Sequence, residues 1–403
     1  MGKSVSNRAR RLCAFIIGLV FLLAGIFKLL DPVGAGLVVE EYYRFLGLSS
    51  LLPTAKITGV SLALLESLLG AALISGIWRK AVAIATTVLV VAFTLLTLAL
   101  AIFNPAMDCG CFGEVIHLSN IQTFLKNIVL LILAIIAFVP FKDLGSPKKR
   151  KYVSFFIAAA SIACFTIHSL NSIPLVDYTS FTPGSELVAS DGGGQEFMST
   201  FIYEKNGEEG AFTLDKLPDS TWTYLRTETI KLSRSKTNRE PPVLAFTDST
   251  GNYKDELAAT GNVLVLSVNA PLKLKGDDWT RLSAVTEGAR KAGITPLLLI
   301  NGTKSRLDKI TTIVPEAKNL LEPSMYFSDR KTLLSMNRSN GGATWFNDGV
   351  LIRKFHSSDL PSDEALLEMT GADPTEVMLQ TSTKGRLRFQ GFLLYTLALM
   401  LLI

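Results

Sequence analysis

Residues 12–30, 57–77, 81–103, 124–141 and 153–173 form five apolar blocks in the first part of the chain. A helix that crosses a bilayer needs roughly 20 mostly apolar residues, so each block predicts one span. A shorter block, 389–403, closes the sequence. At ~1.5 Å per residue it gives about 22 Å of helix, short of a ~30 Å hydrocarbon core. Between these regions the pattern changes scale. Short alternating runs at 196–203 and 221–225, with glycine clusters between them, predict small β structure over 174–240. From 241 onward apolar runs alternate with helical periods. Strands are predicted over 262–269, 296–300 and 324–327, and helices over 277–292, 305–314, 331–336 and 363–369. A hairpin over 344–355 turns at Asn347-Asp348-Gly349. Strands alternating with helices define an α/β domain. The organisation expected is a membrane domain at 1–145, a fifth transmembrane helix at 146–173, a β-rich region at 174–240, an α/β domain at 241–372 and a membrane-associated helix at 386–403.

Charge assigns an orientation to this pattern. Hydrophobic residues make up 48% of the 403 positions and charged residues only 19%, the balance of a membrane protein. Arg8, Arg10 and Arg11 precede the first block. No small-residue cleavage site follows it, so it reads as a retained anchor. Arg79 and Lys80 lie between the second and third blocks, and Lys148, Lys149, Arg150 and Lys151 lie after the fourth. Residues 31–56 and 104–122 are poor in base. The positive-inside rule then places the N-terminus in the cytoplasm and Cys109, Cys111 and residues 174–384 on the outer face of the membrane. That outer stretch holds 28 Asp+Glu against 23 Lys+Arg. The net charge of +5 for the whole chain is therefore a topology signal, and nucleic-acid binding is not expected.

Candidate chemistry is concentrated in the membrane domain. Cys109 and Cys111 stand one residue apart in Asp108-Cys-Gly-Cys-Phe-Gly113, just past the third block. Such a pair has three uses: thiol–disulfide exchange, a static disulfide, or half of a soft metal site with His117. Asp108 works against thiolate formation, and His117 and Lys126 are the nearby bases. Cys13 and Cys164 fall inside predicted spans, where a cysteine is ordinarily a small buried hydrophobe. Glu66 lies mid-span in the second block. An intramembrane carboxylate marks a functional position by default, as a proton carrier or an electrostatic neighbour of the thiols, against the alternative of a helix-packing hydrogen bond; Lys28 is either its partner or a side chain that snorkels to the interface. Asn127 is placed to hydrogen-bond between helices, and His168 reads as a packed residue.

The set Gly25-x-x-Lys28-x-x-Asp31-Pro32, Glu66 with Gly70 and Gly76, the Cys-Gly-Cys-Phe-Gly element and Asn127 resembles the MauE/DoxX family of small bacterial membrane proteins. The resemblance spans about residues 10–141. It implies a four-helix core associated with disulfide formation in the MauE branch and quinone-coupled sulfur oxidation in the DoxX branch. The thiol role transfers only to Cys109 and Cys111, and a quinone cofactor is implied by the family alone. Residues 241–370 are similar to the membrane-anchored periplasmic branch of the thioredoxin fold, with its Pro/Phe/Asp/Gly lead-in at Pro242 to Gly251. The departures are plain. Asn269-Ala-Pro-Leu-Lys273 stands where a Cys-x-x-Cys motif belongs, and Ala343 replaces the cis-proline. A domain without cysteines cannot perform dithiol exchange.

These readings converge on an α-helical membrane bundle followed by a thioredoxin-like domain lacking cysteines. The expected activity is thiol–disulfide or quinone-linked oxidoreduction at Cys109 and Cys111, with Glu66 and Lys28 contributing and no resident metal. The α/β domain would bind a periplasmic or membrane protein partner. The alternative is a non-catalytic scaffold or assembly subunit of an envelope complex.

Overall fold

The computed structural model describes residues 7–105, 110, 118–141, 149–187, 197–205, 208–213, 222–231, 242–302 and 325–402. It divides into two compact units, one of residues 1–178 with 382–403, the other of residues 179–381.

The first unit is helical. Its helices are α1 (Asn7–Leu30), α2 (Pro32–Phe45), α3 (Ala55–Ser75), α4 (Arg79–Phe103), α5 (Asn120–Phe138) and α6 (Lys149–Leu170), with a 3₁₀ turn at Ser49–Thr54. Among the described residues five helices are long and apolar enough to cross a membrane, the second extending over Ser49–Ser75. These are the five spans expected from the apolar blocks. The unit has a buried core of its own, including Ile17, Leu22, Leu29, Ala63 and Ile162. Large apolar side chains such as Ile57, Val88 and Ile102 point outward, as a lipid-facing surface requires.

Helix α2 corrects the expectation of a loop over 31–56. Its start is written locally: Asp31 Oδ1 accepts from the Gly34 N–H at 2.9 Å, and Pro32 occupies the first helical position. An acidic N-cap followed by proline is a strong helix start. Cys164 and His168, expected to be packed, are both exposed on α6, and Cys13 is half-buried.

The second unit contains two sheets. In the first, β1 (Phe197–Lys205) lies between β2 (Glu208–Thr213) and β3 (Thr223–Lys231), all antiparallel. The other has five strands: β4 (Asn262–Val268), β5 (Thr295–Asn301), β6 (Met325–Ser328), β7 (Gly342–Asn347) and β8 (Val350–Phe355). Their order is β6-β5-β4-β7-β8. β4, β5 and β6 run parallel, and β7 and β8 run antiparallel to their neighbours. A short helix, α7 (Glu256–Ala259), precedes β4. Helix α8 (Gly276–Lys291) makes the crossover to β5, α9 (Arg330–Met336) follows β6, and α10 (Asp363–Gly371) follows β8. β4 and β5 are nearly continuous apolar runs buried on both faces, as a central parallel strand requires. One face packs Trp279, Leu282 and Ile352, and the other packs Phe246, Phe346 and Met336. The β7–β8 hairpin turns on Asp348 and Gly349, both at positive φ, and Asp348 Oδ1 accepts from the Gly261 N–H at 2.8 Å. The helix expected over 305–314 lies outside the described residues.

Both outer strands of the larger sheet already have partners. On β8, the N–H groups of Gly184 and Leu187 donate to the carbonyls of Leu351 and Gly349, and Leu351 donates back to Ser185. On β6, Thr247 and Phe327 exchange two backbone hydrogen bonds of 2.8 Å. At the start of α8, Asp278 accepts from the Lys275 N–H at 3.0 Å and from Arg281 at 2.6 Å. The Lys275 N–H, with Arg281 adding to it against the opposing effect of burial, holds the Asp278 carboxyl below the usual carboxylate range.

The last helix, α11 (Pro374–Leu402), starts earlier than the 386 expected. Proline at its first position and Asp373, whose side chain accepts from the Thr375 N–H at 2.9 Å, fix that start. Its later residues join the core of the helical unit, where Phe392 and Tyr395 stack on Phe165 and Tyr395 reaches Ser161 at 3.1 Å.

Candidate functional site

Two small residues set the geometry of the helical unit. Gly25 on α1 lies against Ser67 and the Ala63 carbonyl of α3, and Gly70 on α3 lies against the backbone of Leu22 and Gly18. A Cβ at either position would collide with backbone, so α1 and α3 approach as closely as helices can. Lys28 sits three residues beyond Gly25, and Glu66 lies between Ala63 and Gly70. Lys28 Nζ donates to both carboxylate oxygens of Glu66 at 2.7 Å. The side chains are 11% and 3% exposed. The Phe93 ring of α4 lies 5.9 Å from the ammonium. A buried charge needs an opposite charge and good hydrogen bonds, and this two-oxygen pairing supplies both. Of the two roles that the sequence leaves open for Lys28, pairing with Glu66 or snorkelling to the interface, the geometry has the pairing.

Asn127 of α5 donates to Thr97 Oγ1 at 3.1 Å and to the Phe93 carbonyl at 3.3 Å, both on α4. This is the interhelical bond expected of it.

Cys109 and Cys111 lie outside the described residues, as do Asp108 and His117. Their setting is nonetheless defined. Asn104 ends α4 at φ +42°, and its side chain accepts from Asn120 Nδ2 at 3.0 Å; Asn120 also donates to the Pro105 carbonyl at 3.1 Å. Ser119 and Gln122 form a capping box at the start of α5. The two ends of the Cys-Gly-Cys segment are thus tied side chain to side chain. Gly110, between the cysteines, is buried at φ +56° against Val38 of α2. Both that φ and the absence of room for a Cβ require glycine. Sequence reasoning passed over Asn104, Asn120 and Val38. The Asp31-Pro32 start signal would have revealed α2, but nothing local marks Val38 as a support.

In the α/β unit the loop after β4 is held by amides. Asn340 accepts from the Ala270 N–H at 2.9 Å and donates to the Ala270 carbonyl at 3.0 Å. Asn301 donates to the Asn269 carbonyl at 3.0 Å, and Asn269 to the Ser339 carbonyl at 3.3 Å. Ala343 is buried in β7, opposite Leu266 and Phe355. No group of three or more metal-ligating side chains occurs among the described residues.

A membrane-spanning helical domain with a buried lysine–glutamate pair, its α4 and α5 joined by Asn104 and Asn120, is the class that the geometry defines. Residues 6–140 match the family model of methylamine utilisation protein MauE, so the chain carries a MauE family domain. Residues 197–234 match a domain of unknown function, DUF8463, over the three-stranded sheet. Neither match reaches residues 241–370. No curated protein and no solved structure gives a significant match.

Proposed function

We propose that the chain is a bacterial inner-membrane thiol–disulfide exchange protein whose redox centre is Cys109 and Cys111, presented on the periplasmic side. The observation that carries the reading is the support of Gly110: the residue bonded to both cysteines is buried against α2, in a segment tied at its base by Asn104 and Asn120. The MauE family match of the same residues supports the reading.

In the exchange, a partner dithiol gives two electrons and two protons to the Cys109–Cys111 disulfide. The partner becomes a disulfide and the pair becomes a dithiol; the reverse direction balances equally. Lys28 and Glu66 provide the nearest buried charge system in the proposal, positioning the helices and offering a proton site. The two side chains satisfy one another, and α1 and α3 close tightly at Gly25 and Gly70. That arrangement does not fit a quinone between them, and the exchange itself needs none. The α/β unit resembles a thioredoxin-like domain in its β4-α8-β5 and β7-β8-α10 order. It is proposed to hold a polypeptide partner and leave electron transfer to the membrane domain.

The amide clamp of Asn340 on Ala270, in a loop without cysteines, favours a second reading: the protein is a non-catalytic scaffold or assembly subunit of an envelope complex. One experiment separates the two. In a Cys13→Ala/Cys164→Ala background, the redox state of the remaining pair is trapped in cells with an alkylating mass tag. A mixed population, or a trapped mixed disulfide lost in Cys109→Ser, is expected for exchange. A pair oxidised under every growth condition overturns exchange in favour of the scaffold.

A further inference from the structure

At the end of the helical unit where α1 begins and α5 finishes, the helices line a half-open pocket of about 760 Å³. Its size falls within the roughly 300–1,000 Å³ typical of small-molecule sites. Arg10 and Arg11 of α1, Arg79 of α4 and Lys151 of α6 line it, together with apolar residues that include Phe15 and Ile74. None of the described lining residues is acidic. Arg10, 9% exposed, is fixed in place: its Nε donates to the Ala137 carbonyl at 3.1 Å and a terminal nitrogen to the Pro140 carbonyl at 2.8 Å. Arg79 Nε donates to the Gly76 carbonyl at 3.0 Å. The two carbonyl acceptors of Arg10 are neutral, so they orient its guanidinium.

The positive-inside rule requires basic residues in a loop, but it does not require them to converge on one pocket with apolar walls. Basic side chains from three helices meet at this pocket, and an anion seated there gains from each of them. A basic pocket between transmembrane helices at the level of the headgroups suits a phosphodiester. Arginine side chains match phosphate oxygens through paired N–H groups. The apolar walls suit the first carbons of an acyl chain, which a free anion lacks.

We propose that this cavity is a binding site for the headgroup of an anionic phospholipid, with the phosphate held by Arg11, Arg79 and Lys151 and by the carbonyl-anchored Arg10.

The test uses the full chain in nanodiscs of phosphatidylcholine containing one-fifth phosphatidylglycerol, with retained lipid counted by native mass spectrometry. The wild type is expected to retain phosphatidylglycerol at least tenfold over its share of the bilayer. The Arg11→Gln/Arg79→Gln/Lys151→Gln variant is expected to lose that enrichment, and the corresponding Arg→Lys changes to keep part of it. If the triple variant does not fold, Lys151→Gln alone is expected to reduce enrichment severalfold. No enrichment in the wild type, or unchanged enrichment in the variant that folds, overturns the site. A second arm adds inorganic phosphate to pure phosphatidylcholine nanodiscs. Thermal stabilisation there equal to that given by phosphatidylglycerol overturns the lipid assignment and leaves a site for free phosphate.

Discussion

In the helical unit, backbone meets backbone at Gly25 and Gly70, and the polar contact buried beside that crossing is ionic, between Lys28 and Glu66. In the α/β unit, bulky residues such as Trp279, Trp345 and Phe346 fill the interior, and the buried polar contacts are made by neutral amides. The difference follows from the solvent. Lipid gives apolar side chains no reason to leave it, so helices associate through close packing and polar bonds. Water drives large apolar side chains inward, and there an amide network is sufficient to satisfy the backbone it interrupts.

The contrast breaks most visibly at Glu66. Glu66→Ala leaves the Lys28 ammonium buried without its partner, and the loss expected is about 3–5 kcal/mol. Unfolding in nanodiscs checks this. Lys28→Met/Glu66→Leu, which removes both charges, is expected to recover most of the loss. A single variant as stable as the wild type would mean that the pair is not held in a low-dielectric site.

The neutral counterpart is Asn337. Its side chain is fully buried and donates to the Ala343 carbonyl at 2.9 Å, the Phe355 carbonyl at 3.2 Å and Thr344 Oγ1 at 3.3 Å, and accepts from the Ser339 N–H at 2.9 Å. Asn337→Ala is expected to cost about 2 kcal/mol, less than the charged case, because the groups left behind are uncharged. Hydrogen exchange of the β7 amides reads it; protection unchanged from the wild type would count against the network.

At the surface the effect shrinks again. Asp278, held below the ordinary carboxylate range chiefly by the Lys275 N–H, stabilises the fold only while ionised. Its contribution is present above the unfolded value of about 3.9 and disappears as pH falls through the lower folded value. Asp278→Asn is expected to cost about 0.5 kcal/mol at pH 7, discounted because its Arg281 pair is exposed to solvent. The gap in thermal midpoint between the wild type and the variant should begin to close below about pH 4 and vanish once the folded carboxyl is protonated at lower pH; a constant gap would contradict the assignment.

Where physics acts along the chain, the elements were legible. Apolar blocks gave the five spans, two-sided apolar runs gave β4 and β5, and Asn347-Asp348-Gly349 gave the hairpin turn. Lys28 and Glu66 were legible because two opposite charges in apolar sequence need each other. Helix α2 was missed because its mixed composition hides it from a hydropathy reading, although Asp31-Pro32 announces it. The contacts of Asn104 with Asn120, Gly110 with Val38 and Asn340 with Ala270 were not legible. Each joins positions remote in sequence, and no periodicity encodes such a meeting. The C-terminal helix was read too short because only its apolar half carried a signal.

The covered flanks of the five-stranded sheet restrict how this unit can take hold of another chain. An open strand accepts almost any extended peptide, because it reads backbone alone. Here residues 184–187 and Thr247 already use much of that backbone. A guest is left with side chains and loops at the ends of the strands. Recognition through those is selective: any chain bound there would be chosen by its side chains, and the same closure keeps the strand edges of neighbouring copies from pairing.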